Sequence, residues 1–357
     1  MVRALKTKIG TCQMLLRIVL CFFCLTNFSC IFSDNSANIA FVYIGNSLPA
    51  HAYRTIKQAR VFNPESQIFL ITSPRIYSSL SKKDSFLKKT NLTLVHTRQL
   101  TPTKEHQIFK KTNQLNNSFR NGFWRLATER FFYLLDFMES QNVKNVFHFE
   151  SDVMLYANVS ELLSCIKTIP CDLCATLQTK NNCVPGIVYI RNANALRNLC
   201  TFINKKHIDY KGSHPLIDLN DMNTLAEFHS EQKGLSFELF PLLMPDYAKI
   251  YKRRNIDFPH NNTTLSFLET NFNLFDNYIF DAAALGIYLD GYDRRNNPDS
   301  SAGAIHYKAL FNPAHFNFFW RKDSLGRKVP FILFNDKTYR IANLHFHSKN
   351  VKKFESL

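Results

Sequence analysis

The segment Asn142–Tyr156, NVKNVFHFESDVMLY, constrains this chain more than any other. Val146, Phe147 and Phe149 form an apolar, β-favouring run, and Glu150-Ser151-Asp152 places two carboxylates where that run ends. A short apolar run of this kind reads as a strand buried in a sheet. In an open α/β sheet the ligand crevice lies outside the carboxyl ends of the strands. The two acids therefore stand where a hard cation can be held beside a phosphate-bearing ligand.

The sequence around this segment alternates strand and helix signals. Ile39–Ile44 reads as a buried strand ending at Gly45-Asn46, followed by a helix to about Val61, with Ser47 as its cap and Pro49 in its first turn. Gln67–Ile71 and Leu92–His96 read as further strands, whereas Ser81–Lys89 reads as a basic loop. A helix is expected from about Gly122 to Ser140, capped by Asn121, with Phe123, Ala127, Phe131, Leu134, Leu135 and Met138 as its core stripe. Beyond the acid segment, Val159–Ile166, Asn194–Lys206 and Asp218–Gln232 read as helices, and Asp172–Leu177, Gly186–Ile190 and Phe237–Leu243 as strands. Arg254–Asn317 is rich in Asn, Asp, Pro and aromatics, with one helical piece at Ala282–Leu289, and reads as an irregular substrate-facing region. A hairpin, Phe331–Phe334 and Thr338–Phe346 around Asn335-Asp336, closes the chain before a basic tail. This β-α-β-β opening with apolar strands predicts an α/β fold with an open sheet flanked by helices, as a single elaborated domain over 38–352.

Charge and cysteine content narrow the partners. The net charge of +16 suits an anionic ligand, an anionic membrane surface or nucleic acid. No nucleic-acid-binding module is recognisable, so nucleic acid is not an expected partner. The nine cysteines fall in two groups, and Cys171-x-x-Cys174 lacks the second pair or His-rich partner that a zinc site needs. Met14–Phe32 is strongly apolar behind Arg3, Lys6 and Lys8, so 1–33 reads as a signal peptide or N-terminal signal anchor. The expectation is a protein attached to the membrane by that one segment, or exported, with the main domain on the non-cytoplasmic side.

Two clusters carry the chemistry. Glu150 and Asp152 are two apart, as are His345 and His347 near the end of the last strand, and residues two apart share a face of a strand. Mg²⁺ and Mn²⁺ take oxygen ligands completed by substrate phosphates, and imidazole suits a borderline cation such as Mn²⁺. Lys349 and Lys352 follow, as cations suited to a departing diphosphate.

The stretch FHFESDVMLY resembles the strand and DxD motif of GT-A glycosyltransferases, with Glu150 in place of the usual first Asp. NLHFHSKNVKK resembles the C-terminal His-aromatic-x-small-x-x-Lys segment of the metal-dependent members, with His345 in the metal-ligand place and Ser348 where Gly is common. FWRLATERFFYLLDFM resembles the helix that precedes DxD. The resemblance implies a GT-A-like, Rossmann-type open mixed sheet and a metal-dependent transferase. It would move a sugar from a nucleotide-diphosphate sugar to an acceptor hydroxyl on a glycan, lipid or protein. It implies Mn²⁺ or Mg²⁺ held by Asp152, His345 and His347, and donor contacts from Tyr43, Gly45, Asn46, Arg120, Arg125, Glu150, Lys349 and Lys352. Asp221, an acid near the sugar, and Asp281, on the acceptor side, would be the catalytic residues, either of them taking the acceptor proton if the reaction inverts. The departure at Glu150 keeps a second class open, a sugar-nucleotide or glycan-binding relative without turnover.

Overall fold

The computed structural model describes residues 36–116, 119–179, 181–231, 236–250, 271–307 and 309–357. Two sheets build it. The strands in chain order are β1 (Asn38–Tyr43), β2 (Gln67–Thr72), β3 (Leu92–His96), β4 (Val146–Phe149), β5 (Val153–Leu155), β6 (Leu173–Thr179), β7 (Asn182–Ile190), β8 (Phe237–Leu239), β9 (Ile279–Phe280), β10 (Asn317–Lys322), β11 (Lys328–Phe334) and β12 (Lys337–His345).

The larger sheet has the order β3-β2-β1-β4-β7-β6-β8. Its pairings are parallel except those of β7, which runs antiparallel to β4 and β6. All residues of β4 and β7 are buried, as continuous apolar runs covered on both faces require. The Phe123–Ser140 helix covers one face, where Phe137 meets Phe69 of β2 at 4.9 Å between ring centroids. The Ala50–Phe62 helix packs on the other side of the chain's centre, where Gln58 donates to the Leu155 carbonyl (3.1 Å) and Phe62 meets Tyr156 edge-on. The open mixed α/β sheet flanked by helices that the sequence predicts is present.

The smaller sheet, β10-β11-β12-β5, with β9 beside β12, is joined to the large one through the acid segment. The chain leaves β4 at Phe149, turns through Glu150–Asp152 and enters β5, which pairs antiparallel with β12. That register sets His345 opposite Val153, and the Phe346 amide donates to the Asp152 carbonyl (3.0 Å). Strand pairing, not sequence proximity, thus brings residues near 150 and near 345 together.

Several elements differ from the sequence reading. Asp84–Thr90 is a helix, not a loop, because Asp84 in its first turn and Lys88 and Lys89 in its last complement the helix dipole and Asn91 in the left-handed region ends it. Lys104–Thr112 is a further helix, capped by the Thr103 hydroxyl. The core stripe of Phe123–Ser140 begins one turn later than the periodicity predicts: Phe123 is exposed and the buried face runs from Thr128 to Met138. The closing hairpin is real, with Asn335 and Asp336 both at positive φ as a tight two-residue turn requires, but β10 adds a third strand.

The expected attachment to the membrane by a single N-terminal segment is corrected to one that the described residues do not support. Among the described residues no helix is long and apolar enough to cross a membrane. The longest of them, Phe123–Ser140, carries Arg125, Glu129, Arg130, Asp136 and Glu139. The expected anchor or signal at 1–33 lies outside the described residues.

Candidate active site

The site forms at the β4–β5 turn. The Glu150 amide donates to the Gly186 carbonyl of β7 (3.1 Å) and the Val153 amide donates to the Glu150 carbonyl (3.2 Å), so the turn carrying the acids is fixed at both ends. His345, the last residue of β12, sends Nε2 to Glu150 Oε2 (3.2 Å) and Asp152 Oδ1 (3.4 Å). One ligand atom from each of Glu150, Asp152 and His345 lies within 4.8 Å of the others.

His345 is held by close backbone packing on two sides. A Cβ on Gly186 would lie 2.8 Å from its Nδ1, so β7 comes against the ring only because residue 186 has no side chain. A Cβ on Gly286 would lie 2.0 Å from the His345 carbonyl oxygen, so the Ala284–Asp290 helix packs backbone to backbone on β12. Nδ1 is buried with no hydrogen-bond partner among the described residues, which directs the ring's polar chemistry through Nε2 toward the carboxylates.

Asp281 is the clamp between these elements. It is 1 % exposed, and its carboxylate accepts from the amides of Leu285 (2.9 Å), Gly286 (2.8 Å) and His345 (2.9 Å). These N–H groups belong to the start of the Ala284–Asp290 helix and to His345, so Asp281 both caps that helix and positions His345. Burial raises its pKa, opposed by those hydrogen bonds.

Charge around the acids is balanced within the chain. Buried Arg130 pairs with Glu150 and, at 2.6 Å, with Asp221, while Lys349 Nζ pairs with Asp152 Oδ2. Burial opposes ionisation of both acids. For Glu150, Arg130 and then His345 outweigh it and lower the pKa; for Asp152, Lys349 and His345 hold the carboxyl well below the usual range. Burial also opposes charging His345, yet Asp152 and Glu150 raise its pKa. Asp221 goes the other way. Burial pushes it up to about 6, Glu150 adds to the rise, and Arg130 only partly offsets it; its Oδ1 has no partner among the described residues.

The other predicted residues divide. His347 lies beyond β12, its ring 5.0 Å from that of His345, and is outside the three-residue cluster; burial lowers its pKa to about 3. Tyr43 ends β1 on the same side, where burial raises its pKa against the opposing charges of Arg295 and Lys349. The Tyr43 ring leans over Gly45, and Asn46 is exposed on the turn that follows. Arg120 does not touch the acids: it pairs with Asp293 (3.2 Å) and with Asn296. Arg125 pairs with Glu129 (2.7 Å) within its helix. Lys352 sits on an exposed terminal turn.

Sequence reasoning missed four residues of this neighbourhood. Arg130 was masked by its position beside Phe131 and Phe132, though a charge inside a buried helical stretch is itself a signal. His51, whose Nε2 is 3.4 Å from Ser151 Oγ, has its pKa lowered to about 4, first by burial and then by Lys349 and Arg295 against Asp152. Asp293 and Arg295 pair with each other at 2.6 Å in the irregular region, and no local motif marks them.

No protein-family model matches the chain, and no curated protein matches it. Solved structures similar to it include mouse xyloside xylosyltransferase 1 in its apo form, at TM-score 0.41 and 10% identity over 60% of this chain and 90% of that one. The glycosyltransferase GlyE of Streptococcus pneumoniae TIGR4 is similar at TM-score 0.35 and 13% identity, over 63% of this chain and 52% of that one. A cytidylyltransferase from Leptospira borgpetersenii serovar Hardjo-bovis is similar at TM-score 0.34 and 9% identity, over 68% of this chain and 97% of that one. At that level of likeness the residues of the site, not the neighbours, decide the chemistry.

Proposed function

We propose that the chain is a glycosyltransferase that moves a sugar from a nucleotide-diphosphate sugar to an acceptor hydroxyl, using a domain over 38–352 with 254–317 on its acceptor side. The observation that carries this reading is the convergence of Glu150, Asp152 and His345 Nε2 at the carboxyl end of a buried parallel strand, with Lys349 beside them. Two carboxylates and one imidazole form a donor set suited to Mn²⁺ or Mg²⁺. When bound, the cation would act as a Lewis acid toward the diphosphate oxygens.

The chain's own residues have distinct tasks in this reading. Asp152 and His345 hold the cation, and Glu150, oriented by Arg130, completes its surroundings or meets the donor's ribose. Lys349 exchanges Asp152 for the diphosphate and, with Lys352, stabilises the charge that develops on the leaving group. Tyr43, Gly45 and Asn46, joined by His51 and Arg295, line the nucleotide end. Asp221 offers its unpartnered oxygen to a hydroxyl of the transferred sugar. Arg120 acts indirectly, by tying down the segment that carries Asp293 and Asn296. Arg125 braces Glu129 rather than the diphosphate.

A second reading, a sugar-nucleotide or glycan binder of the same fold without turnover, draws on one observation. Both acids already carry a cationic partner from the chain, Arg130 on Glu150 and Lys349 on Asp152. A thermal-shift screen of sugar nucleotides with and without Mn²⁺ tests the reading. Stabilisation by at least one sugar nucleotide, enlarged by Mn²⁺, is expected; no shift with any of them refutes it.

A further inference from the structure

The irregular segment packs against the loop that follows β12. Asp290 accepts from the Ser348 hydroxyl, and the Tyr292 ring lies 6.5 Å from that of His347. Ser348 precedes Lys349, so the residues just beyond Tyr292 come to the edge where the cation cluster sits.

Asp293, the next residue, holds two arginines. Its Oδ2 accepts from Arg295 Nη2 (2.6 Å) and from Arg120 Nη1 (3.2 Å), and its Oδ1 accepts from the Arg295 amide and Nε (3.0 Å each). An exposed ion pair of this kind contributes little to stability. This one is also held from outside, because Arg120 comes from 173 residues earlier in the chain. The Arg295 guanidinium is thereby given a fixed direction on a side chain that is 67 % exposed. Its Nη1 makes no hydrogen bond among the described residues, so one edge of the fork is open to a ligand.

Arg295 and Lys349 act on the same two side chains. Tyr43 ends β1, whose Phe41 is in register with Phe149 of β4, so Tyr43 and the acid turn share one sheet edge. His51 joins them through Ser151 Oγ (3.4 Å). Burial is the main cause that raises the Tyr43 pKa and lowers that of His51 to about 4. On both rings the charges of Arg295 and Lys349 favour the deprotonated form, against Asp152 at His51.

The charges at this edge fit a diphosphate. Arg130 offsets one of Glu150 and Asp221, and a divalent cation would offset the other together with Asp152. Lys349 is then left over, and so is one of the two arginines on Asp293. A sugar nucleotide joined through a diphosphate brings one negative charge on each phosphate.

We propose that Arg295 is a phosphate-binding residue of the donor site, with its open Nη1 on the phosphate next to the nucleoside and Lys349 on the phosphate next to the sugar. Arg120 is its positioning residue, acting through Asp293. The assignment rests on the donor reading above. It gives the irregular region a task on the donor side, and arginine suits that task because its planar fork can serve Asp293 and a phosphate at once.

The test is calorimetric titration of the full chain, with Mn²⁺ present, using the monophosphates and diphosphates of adenosine, cytidine, guanosine and uridine. At least one nucleoside diphosphate should bind the wild type, and more tightly than its monophosphate. Arg295→Gln should weaken the diphosphate and the monophosphate alike, by about tenfold, and leave their ratio unchanged. Lys349→Gln should weaken the diphosphate more than the monophosphate. Arg120→Gln should weaken both nucleotides in the wild-type background and add nothing in the Arg295→Gln background. Nucleotide binding unchanged in Arg295→Gln, or lost for the diphosphate alone, overturns the assignment and leaves the donor reading standing. A full further loss on adding Arg120→Gln to Arg295→Gln overturns the positioning role. A wild type that binds no nucleotide refutes the donor reading and the assignment with it.

Discussion

The two glycines around His345 allow the stability of the fold and the geometry of the site to be perturbed separately. Cβ atoms essentially never approach another atom closer than 3.0 Å, yet one on Gly286 would stand 2.0 Å from the His345 carbonyl oxygen and 2.5 Å from its carbon. The obstacle is backbone on both sides, so Gly286→Ala must part the Ala284–Asp290 helix from β12 by about 1 Å. That strains the Asp281 clamp, because one oxygen, Oδ2, accepts from both Gly286 and His345. Overpacking of this kind costs about 1–3 kcal/mol. For a unit of this size that is a fall of about 2–5 °C in Tm. Gly186→Ala differs, because its Cβ would stand 2.8 Å from Nδ1 of a side chain that can rotate. Its Tm should fall by less than about 2 °C. Its Mn²⁺ affinity should drop about tenfold or more as Nε2 swings away from the acids, the scale seen when a ligand loses its orienting contact. Calorimetric scanning and Mn²⁺ titration of both variants check this. A Gly286→Ala protein with unchanged Tm, or a Gly186→Ala protein with unchanged Mn²⁺ affinity, refutes the argument that backbone packing places His345.

Two further predictions concern buried charge. Arg130→Met leaves Glu150 and Asp221 without their shared cation and should cost about 3–5 kcal/mol in urea unfolding, whereas Arg130→Lys should recover part of it; a loss below about 1 kcal/mol in Arg130→Met contradicts the pairing. His106, enclosed by Asp136 (2.5 Å) and Glu129 (3.2 Å), has its pKa raised although burial alone would lower it. Its pairing therefore contributes stability that is fully present below about pH 6.5 and is lost as pH rises through the higher folded value. An NMR titration of the His106 ring should give a midpoint above about 6.5, and a midpoint at or below that value contradicts the assignment.

The large sheet was legible because its strands are continuous apolar runs, and such runs have few alternatives to a doubly covered sheet. The acids at the end of β4 were legible for the same reason, since the strand announces where it stops. His345 and Lys349 could be grouped with them by ligand chemistry and by the resemblance, not by position in the chain. Their actual contact depends on the β5–β12 register, which no local signal encodes. Asp281 is the opposite case: an Asp before a run of alanines looks alike as a helix cap and as a base, and its bond to the His345 amide, 64 residues away, is set by tertiary structure that no local signal encodes. Phe123 was assigned to the core because helical periodicity continues past the point where the sheet stops covering the helix. The irregular segment carries Asp293 and Arg295, and residues placed by loop closure leave no period to read.

The most direct test of the central claim is release of nucleoside diphosphate from sugar nucleotides, measured with Mn²⁺ for the wild type and Asp152→Asn. Asp152→Asn keeps the side-chain shape and removes the charge that Mn²⁺, His345 and Lys349 share. The account predicts Mn²⁺-dependent release by the wild type, reduced about a hundredfold or more in the variant. Equal release by the two proteins, or release indifferent to Mn²⁺, would contradict it.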